Sequence, residues 1–208
     1  MGKESPYQKY VFDFKNRKVL GNFEEMYQQE DVQGFDSWYS SNINHLPKKI
    51  HLIILNQYNF SSILDYGCGK GAFTHLLKKA NNYVLGLDVS ETAIKKARSY
   101  YGDIVEFDVI KDNDLSTYIH NKKFDLTTLL EVLNYVEDWI RLIKDISLFS
   151  NYLYISCYLP PNPIGYIKSK EILTAEVEKY FKILTKVVLT ENDEDSIFIF
   201  CKNLTMED

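Results

Sequence analysis

The chain has 208 residues, which is enough for one domain with a sizeable hydrophobic core. Its formal charge is −5 and it contains no long basic run, which argues against nucleic acid as the main partner. The three cysteines lie far apart in the sequence, so they indicate neither a disulfide framework nor a zinc site, and we expect no metal centre.

No apolar run approaches the roughly 20 residues of a membrane-spanning helix. No N-terminal segment combines positive charge with an apolar core, as a secretory signal would. We therefore expect a cytoplasmic protein without a membrane partner.

Residues 1–44 differ from the rest of the chain because they show no alternation of strands and helices. Aromatic residues nevertheless recur at Tyr10, Phe12 and Phe14, and the segment is too apolar for a disordered tail. We interpret it as short helices and turns that cover the domain. It is either a packing extension or a lid over the mouth of a substrate site, and the domain proper is expected over residues 45–208.

From residue 45 onward the hydrophobic pattern alternates between helices and strands. Apolar runs predict strands over residues 61–66, 83–88, 123–130 and 152–157, and an alternating pattern predicts one over residues 103–109. Helical spacing predicts helices over residues 45–58, 72–80 and 114–120, one capped by Ser90 and one around Ile140. This alternation predicts a parallel sheet with right-handed crossovers.

The pattern changes after a proline-rich loop at residues 159–163. A helix is expected over residues 168–181, followed by strands over residues 183–190 and 196–202 that are joined by an acidic turn. Two strands joined by a short turn form a hairpin, so one terminal strand must run antiparallel to the rest. The predicted fold class is α/β, with a doubly wound, seven-stranded, mostly parallel sheet, an antiparallel last strand and helices on both faces.

The stretch that organises the chain is Asp65-Tyr66-Gly67-Cys68-Gly69-Lys70-Gly71. Its glycines mark a tight turn from a buried strand into a helix, where the backbone must lie close to a ligand. A second acid, Asp88, ends the next strand, and the carboxyl ends of neighbouring parallel strands meet at one edge of a sheet. The two acids and the glycines therefore predict a nucleotide-like pocket at this edge.

The glycine spacing alone leaves two interpretations open. It fits the G-x-G-x-x-A fingerprint of dinucleotide-binding domains, with Asp88 as the ribose-binding acid. It also resembles the D-x-G-C-G-x-G loop of class I S-adenosylmethionine-dependent methyltransferases, and that resemblance extends over residues 60–202. Asp65 favours the methyltransferase, because a cofactor with an ammonium group needs an anion there, whereas a pyrophosphate would be repelled. The helix-bearing segment before the loop and the C-terminal hairpin favour it too.

The resemblance implies an enzyme that moves a methyl group from S-adenosyl-L-methionine to an O or N atom of a small molecule, for example a sugar or a natural-product intermediate. The short chain and its acidic balance favour a small acceptor. We expect a monomer or a homodimer. Three alternatives stay open, namely a protein methyltransferase, an NAD(P)-dependent oxidoreductase and a non-catalytic S-adenosylmethionine-binding domain.

The resemblance also implies which residues bind the cofactor. Asp65 would hold the ammonium group, and the N-terminus of the helix after the loop would favour the carboxylate. Asp88 would accept hydrogen bonds from both ribose hydroxyls, Val89 would lie against the adenine, and Asp108 would accept from its exocyclic amine. The complete expected set is Asp65, Gly67, Cys68, Gly69, Gly71, Asp88, Val89, Asp108, Val109, Leu130 and Glu131.

The stretch after the fourth predicted strand is Leu130-Glu131-Val132-Leu133-Asn134-Tyr135-Val136. It resembles the family's E-V-L-E-H-V segment, but Asn134 and Tyr135 stand where Glu and His are common, so a histidine base is not expected here. The catalytic candidates are His45 and Tyr135, although a histidine before a helix is usually a solvated cap and Tyr135 could simply shape the cavity. Aromatic candidates to face the sulfonium are Tyr39, Tyr66, Tyr135, Tyr158 and Tyr166.

Overall fold

The computed structural model describes residues 5–40, 42, 44–111, 115, 119 and 122–205. Its strands, in chain order, are β1 (Phe12–Asp13), β2 (Lys18–Val19), β3 (Ser62–Tyr66), β4 (Tyr83–Asp88), β5 (Glu106–Val109), β6 (Phe124–Leu130), β7 (Ser150–Leu159), β8 (Phe181–Glu191) and β9 (Glu194–Asn203). Within the described residues, β3 to β9 form one seven-stranded sheet in the order β5-β4-β3-β6-β7-β9-β8. β1 and β2 form a separate small hairpin.

The sheet is parallel except at its last strand. Neighbouring strands from β5 to β7 pair in parallel, whereas β9 runs antiparallel to both β7 and β8. The turn between β8 and β9 consists of Asn192 and Asp193, both with positive φ, a conformation that suits a two-residue hairpin loop. The predicted fold class, with its reversed last strand, is confirmed.

Helices cover both faces of the sheet. In chain order the helices are α1 (Gln8–Val11), α2 (Phe23–Gln33), α3 (Leu46–Leu55), α4 (Glu91–Tyr101), α5 (Trp139–Ser147) and α6 (Lys170–Glu178). α3 and α4 belong to the hydrophobic cluster that includes Ile63, and α5 and α6 to the cluster that includes Leu64. Successive strand residues point to opposite faces, so β3 supplies both cores and its side chains are buried on each side.

The helix predicted over residues 72–80 is wrong, because this segment contains only the 3₁₀ turn Thr74–Leu77. The Asn82 side chain accepts a hydrogen bond from Lys79 N at 2.8 Å and donates one to Leu77 O at 2.9 Å. These bonds hold the chain in a turn where a longer helix would need its own backbone pairs. The expectation that a helix N-terminus favours a bound carboxylate therefore loses its basis. The helix predicted over residues 114–120 falls largely outside the described residues.

Residues 5–40, which we call the cover, contain α1, the β1–β2 hairpin, α2 and a 3₁₀ turn at Ser37–Tyr39. The cover packs on α4, where Met26 and Tyr27 form a buried cluster with Ala93. No helix in the described part of the chain is both long and apolar enough to cross a membrane.

Candidate functional site

The register of the sheet brings the predicted site residues to one edge. Tyr66 of β3 pairs with Leu87 of β4 and with Leu129 of β6, and Asp88 pairs with Val109 of β5. The carboxyl ends of these four strands therefore coincide, as they do at ligand sites of open parallel sheets. We call this the carboxyl edge.

The loop after β3 requires glycine at three positions. Gly67, Gly69 and Gly71 have φ values of 76°, 54° and 75°, a region that other residues rarely adopt. A Cβ atom on Gly67 would lie 2.4 Å from a Val132 methyl carbon, and one on Gly71 would lie 2.6 Å from Phe107 Cζ. The loop thus folds tightly against the strand ends, and its three glycines have no side chains that would cover the backbone.

Asp88 joins the glycine loop to the end of β4. It is 7% exposed, and its carboxylate accepts hydrogen bonds from Gly69 N at 2.8 Å and from Ser90 N at 2.9 Å. Burial raises the pKa of Asp88, although the backbone N–H groups that bind the charged form work in the opposite direction. Asp88 is therefore a buried acceptor at the carboxyl edge, placed where the sequence predicted it.

Asp65 lies beneath the loop. Its two oxygens accept hydrogen bonds from the hydroxyls of Thr74 and Thr128, each at 2.6 Å. Burial raises the pKa of Asp65 to about 6. The structure therefore shows Asp65 as a buried acid that ties the loop to β6, and its predicted contact with an ammonium group stays a prediction.

The end of β5 borders an open cleft of about 760 Å³ that also touches α4 and Glu24 of the cover. Asp108 and Val109 lie in this cleft, and the neighbouring Val89 is exposed. Arg98 contacts Asp108 Oδ1 at 3.0 Å and donates two hydrogen bonds to Phe107 O. Asp88 and the glycine loop are not among the described residues that line this cleft, and the predicted contact of Asp108 and Val89 with an adenine stays a prediction.

Glu131 stands at the end of β6 with a φ of 60°, which is strained for a side chain of this size. Its carboxylate accepts a hydrogen bond from Tyr158 N at 2.7 Å, and its own N–H donates to Ser156 O. Burial raises the pKa of Glu131. It follows Leu130, the last residue of β6, which lies next to β3 in the sheet, and the predicted contact of these two residues with the cofactor stays a prediction.

Cys68 packs into the sheet. A Cβ atom on Gly86 would lie 2.9 Å from Cys68 Sγ, and burial raises the pKa of the thiol well above its usual value. A protonated, enclosed thiol is a poor nucleophile, so Cys68 shapes the loop.

The two catalytic candidates have different surroundings. His45 is exposed at the start of α3, and its charged neighbours are Lys48 and Glu191. Tyr135 packs in the cover's aromatic cluster, with its ring centroid 5.3 Å from that of Trp38, and burial raises its pKa well above the usual value. Tyr135 therefore keeps its proton at neutral pH, so its phenolate is not available as a base.

The cover reaches the site through contacts that sequence reasoning missed. Glu30 binds Lys70 of the glycine loop at 2.6 Å and Lys96 of α4 at 3.0 Å. Tyr27 lies over Gly69, because a Cβ atom on that glycine would be 2.7 Å from the Tyr27 hydroxyl. The one sequence signal was Lys70, since a lysine buried in a tight loop needs an acidic partner.

Comparison with known proteins points to one class. Residues 64–147 match the family model described as a methyltransferase domain. The ubiquinone biosynthesis O-methyltransferase of Thiobacillus denitrificans is 33% identical over 79 residues, which are 36% of this chain and 34% of that protein. The same-named protein of Haemophilus ducreyi is 25% identical over 136 residues, 56% of this chain and 57% of that one. The chain thus spans between about a third and somewhat more than half of these relatives' lengths.

Solved structures share the fold. The N-methyltransferase NodS of Bradyrhizobium japonicum, in complex with S-adenosyl-l-homocysteine, has a TM-score of 0.70 at 19% identity, covering 88% of this chain and 99% of that one. The magnesium protoporphyrin IX methyltransferase of Synechocystis has a TM-score of 0.61 at 16% identity, covering 95% and 94%. The fold is that of the class I S-adenosylmethionine-dependent methyltransferases. More particularly, residues 64–147 resemble a methyltransferase domain, and the resemblance inferred from the sequence is confirmed.

Proposed function

We propose that the protein is an S-adenosylmethionine-dependent methyltransferase that acts on an O or N atom of a small molecule. The observation that carries the proposal is the bond from Gly69 N to Asp88 Oδ2 at 2.8 Å. It joins a buried carboxylate, suited to a pair of hydroxyls, to the glycine loop, whose glycines carry no side chains of their own. That combination fits a nucleoside with a charged amino-acid tail.

The carboxylate of Asp88 can accept further hydrogen bonds from such a ligand. Each oxygen of Asp88 accepts one backbone N–H, and a carboxylate offers about four lone-pair sites, so two ribose hydroxyls can still be bound. When bound, S-adenosylmethionine supplies an electrophilic methyl group. The residues of the carboxyl edge hold the nucleoside and align the acceptor with it, and this alignment supplies much of the rate.

The remaining residues of the predicted set have proposed roles that follow from their positions. Asp65 would favour the ammonium group through its charge beneath the loop, since both its oxygens already accept threonine hydroxyls. Val89, Asp108 and Val109 would border the adenine at the open cleft. Leu130 and Glu131 would close the opposite side.

The proposed function also gives the cover a role. Its contacts with Lys70, Lys96 and Ser90 place it directly on the two elements that form the site. We propose that it acts as a lid that encloses the cofactor and the acceptor. A cytoplasmic location and a monomeric or homodimeric state belong to the same proposal.

The acceptor chemistry follows from what the site offers. An amine acceptor needs only its lone pair, whereas a hydroxyl needs a base in the transition state. Tyr135 does not have the surroundings of such a base, whereas His45 has a lowered pKa that leaves its imidazole neutral, so His45 stays a candidate base. The relatives include proteins named as O-methyltransferases and a neighbour named as an N-methyltransferase, which supports both acceptor types as candidates.

Calorimetric titration with S-adenosylhomocysteine tests the cofactor assignment. Asp88→Asn should weaken binding by about 1.5–3 kcal/mol, the range for hydrogen bonds to a charged group, which corresponds to about 10- to 150-fold in Kd. Asp145→Asn is a matched control, because Asp145 is a partly exposed residue of α5 that pairs with Arg141. Unchanged affinity in a folded Asp88→Asn variant would contradict the assignment.

The other candidate functions have distinct outcomes in the same experiments. Binding of NAD without heat from S-adenosylhomocysteine would indicate an oxidoreductase. Cofactor binding with no S-adenosylhomocysteine released in the presence of any acceptor would indicate a non-catalytic domain. Methyl transfer confined to the macromolecular fraction of a lysate would indicate a protein methyltransferase.

A further inference from the structure

Tyr27 of α2 is a cover residue that lies against the glycine loop. Its hydroxyl would be 2.7 Å from a Cβ atom on Gly69, and the residue is only 3% exposed. Burial raises the pKa of Tyr27 well above its usual value, and the charge of Asp88 raises it further. The phenol is therefore protonated, and it lies against Gly69, whose N–H donates to Asp88 Oδ2 at 2.8 Å.

The hydroxyl of Tyr27 has a partner for its oxygen but none for its proton. Trp38 Nε1 donates to this oxygen at 3.2 Å. Among the residues that the structure describes, none accepts the hydroxyl proton. A buried donor without an acceptor is costly, so such a group points to a ligand that supplies one.

Tyr27 is also held firmly in place. Lys96 Nζ donates to Tyr27 O at 3.0 Å and to Glu30 Oε2 at 3.0 Å, which fixes this turn of α2 on α4. Trp38 holds the far end of the side chain. The phenol is thus preorganised over the loop, so little side-chain entropy would be lost when it binds a ligand.

We propose that Tyr27 is a cofactor-binding residue whose hydroxyl donates a hydrogen bond to a ribose hydroxyl oxygen. This inference rests on the proposed function. A ribose hydroxyl that donates its proton to Asp88 keeps an oxygen that can accept, and Tyr27 and Asp88 meet the same residue, Gly69. The cover then contributes directly to the cofactor site.

Calorimetry with two probes, S-adenosylhomocysteine and 5′-methylthioadenosine, tests the inference, since the second probe has the ribose but no amino-acid end. Tyr27→Phe should weaken both probes by the same factor of about 2 to 12, the range for one neutral hydrogen bond. Tyr10→Phe is the control, because Tyr10 is a buried cover tyrosine whose hydroxyl accepts from Gln33, and its affinities should match the wild type.

Four results would overturn the inference and leave the proposed function intact, three of them from the Phe variants and one from Tyr27→Ala. The first three are equal affinities in Tyr27→Phe and wild type, a loss for S-adenosylhomocysteine alone, which would place the acceptor on the amino-acid end, and an equal loss in Tyr10→Phe. Tighter binding in Tyr27→Ala would also overturn it, because the ring would then be a plug. A wild type that binds neither probe would instead refute the proposed function and remove this inference with it.

Discussion

Glu30 is the cover residue whose substitution should most disturb the attachment of the cover to the domain. It is 4% exposed, and its carboxylate accepts hydrogen bonds from Lys70, Lys96 and the N–H and hydroxyl of Ser37. Glu30→Gln keeps the size of the side chain and one acceptor oxygen but removes the charge. Two largely buried ammonium groups would then lose their shared counter-ion, and the cover should loosen from the glycine loop.

The size of the effect follows from these contacts. Breaking a buried ion pair by removing one partner costs about 3–5 kcal/mol. Lys70 and Lys96 keep 13% exposure and have further carboxylates at 3.0 Å, Asp36 and Asp31 respectively, so we expect the lower end, about 3 kcal/mol. For a chain of this size each kcal/mol corresponds to about 2–4 °C, so the melting temperature should fall by about 6–12 °C.

Thermal unfolding followed by tryptophan fluorescence measures this, because the chain has two tryptophans, Trp38 in the cover and Trp139 in α5. In a Trp139→Phe background, Trp38 alone reports on the cover. Glu176→Gln is the matched control, since Glu176 pairs with the exposed Lys179 at 2.7 Å and such surface pairs contribute about 0–1 kcal/mol. If Glu30→Gln melts together with this control, the reasoning is refuted.

The pH dependence gives an independent check. Burial acts to raise the pKa of Glu30, but the hydrogen bonds from Lys70, Ser37 and Lys96 outweigh it, and the pKa lies below its usual value. A carboxylate with a lowered folded pKa stabilises the protein above the ordinary value of about 4.3 and loses that contribution as the pH falls through the folded pKa. The difference between wild type and Glu30→Gln should therefore shrink in acid.

Three further predictions concern the loop, a helix cap and a buried histidine. Gly71→Ala should destabilise the fold more than Gly34→Ala, because both have positive φ but only Gly71 would also press a Cβ atom against Phe107; equal melting temperatures would contradict the packing argument. Ser90→Ala should cost more than the roughly 1 kcal/mol of an N-cap alone in urea unfolding, since its hydroxyl accepts from the Ala93 N–H and also donates to Glu24 of the cover, and a wild-type midpoint would show that both bonds are dispensable. Burial lowers the pKa of His51 to about 3, so the folded state excludes a proton that the unfolded chain binds below about pH 6.5. The free energy of unfolding should therefore fall by up to about 1.4 kcal/mol per pH unit as the pH drops below about 6.5. His51→Gln should flatten this slope. Parallel pH curves for the variant and the wild type would contradict this role of His51.

Much of the fold was predictable from local pattern. The strand at 83–88 and the cap at Ser90 were predicted with the bounds that the structure shows. Buried parallel strands are almost continuously apolar, and a serine before a helical pattern caps it through one short bond, so both signals are local in sequence. The helix predicted over residues 72–80 was wrong, because the apolar spacing there suits a helix but the Asn82 side chain competes for Lys79 N and Leu77 O.

The candidate site was predictable in part. The glycine loop and Asp88 were visible because positive φ and a strand-end acid leave a clear residue pattern. The partners of Asp65 were not, since Thr74 and Thr128 come from a turn and from β6, which approach it only in the folded sheet. The roles of Tyr27 and Glu30 were hidden for the same reason, because their contacts lie on α4 and on the loop.

The amino-acid sequence by itself determined the chain order of the seven strands of the main sheet, the glycine turn and the acid at its neighbouring strand end, since each is encoded by residues a few positions apart. Only the tertiary structure decided which of those groups meet a ligand and which are tied to threonines, and how a cover with no recognisable motif is held on the loop. The reason is physical: charge, burial and hydrogen bonding depend on distances in space, and residues such as Glu30 and Lys70 become neighbours only when the chain closes on itself.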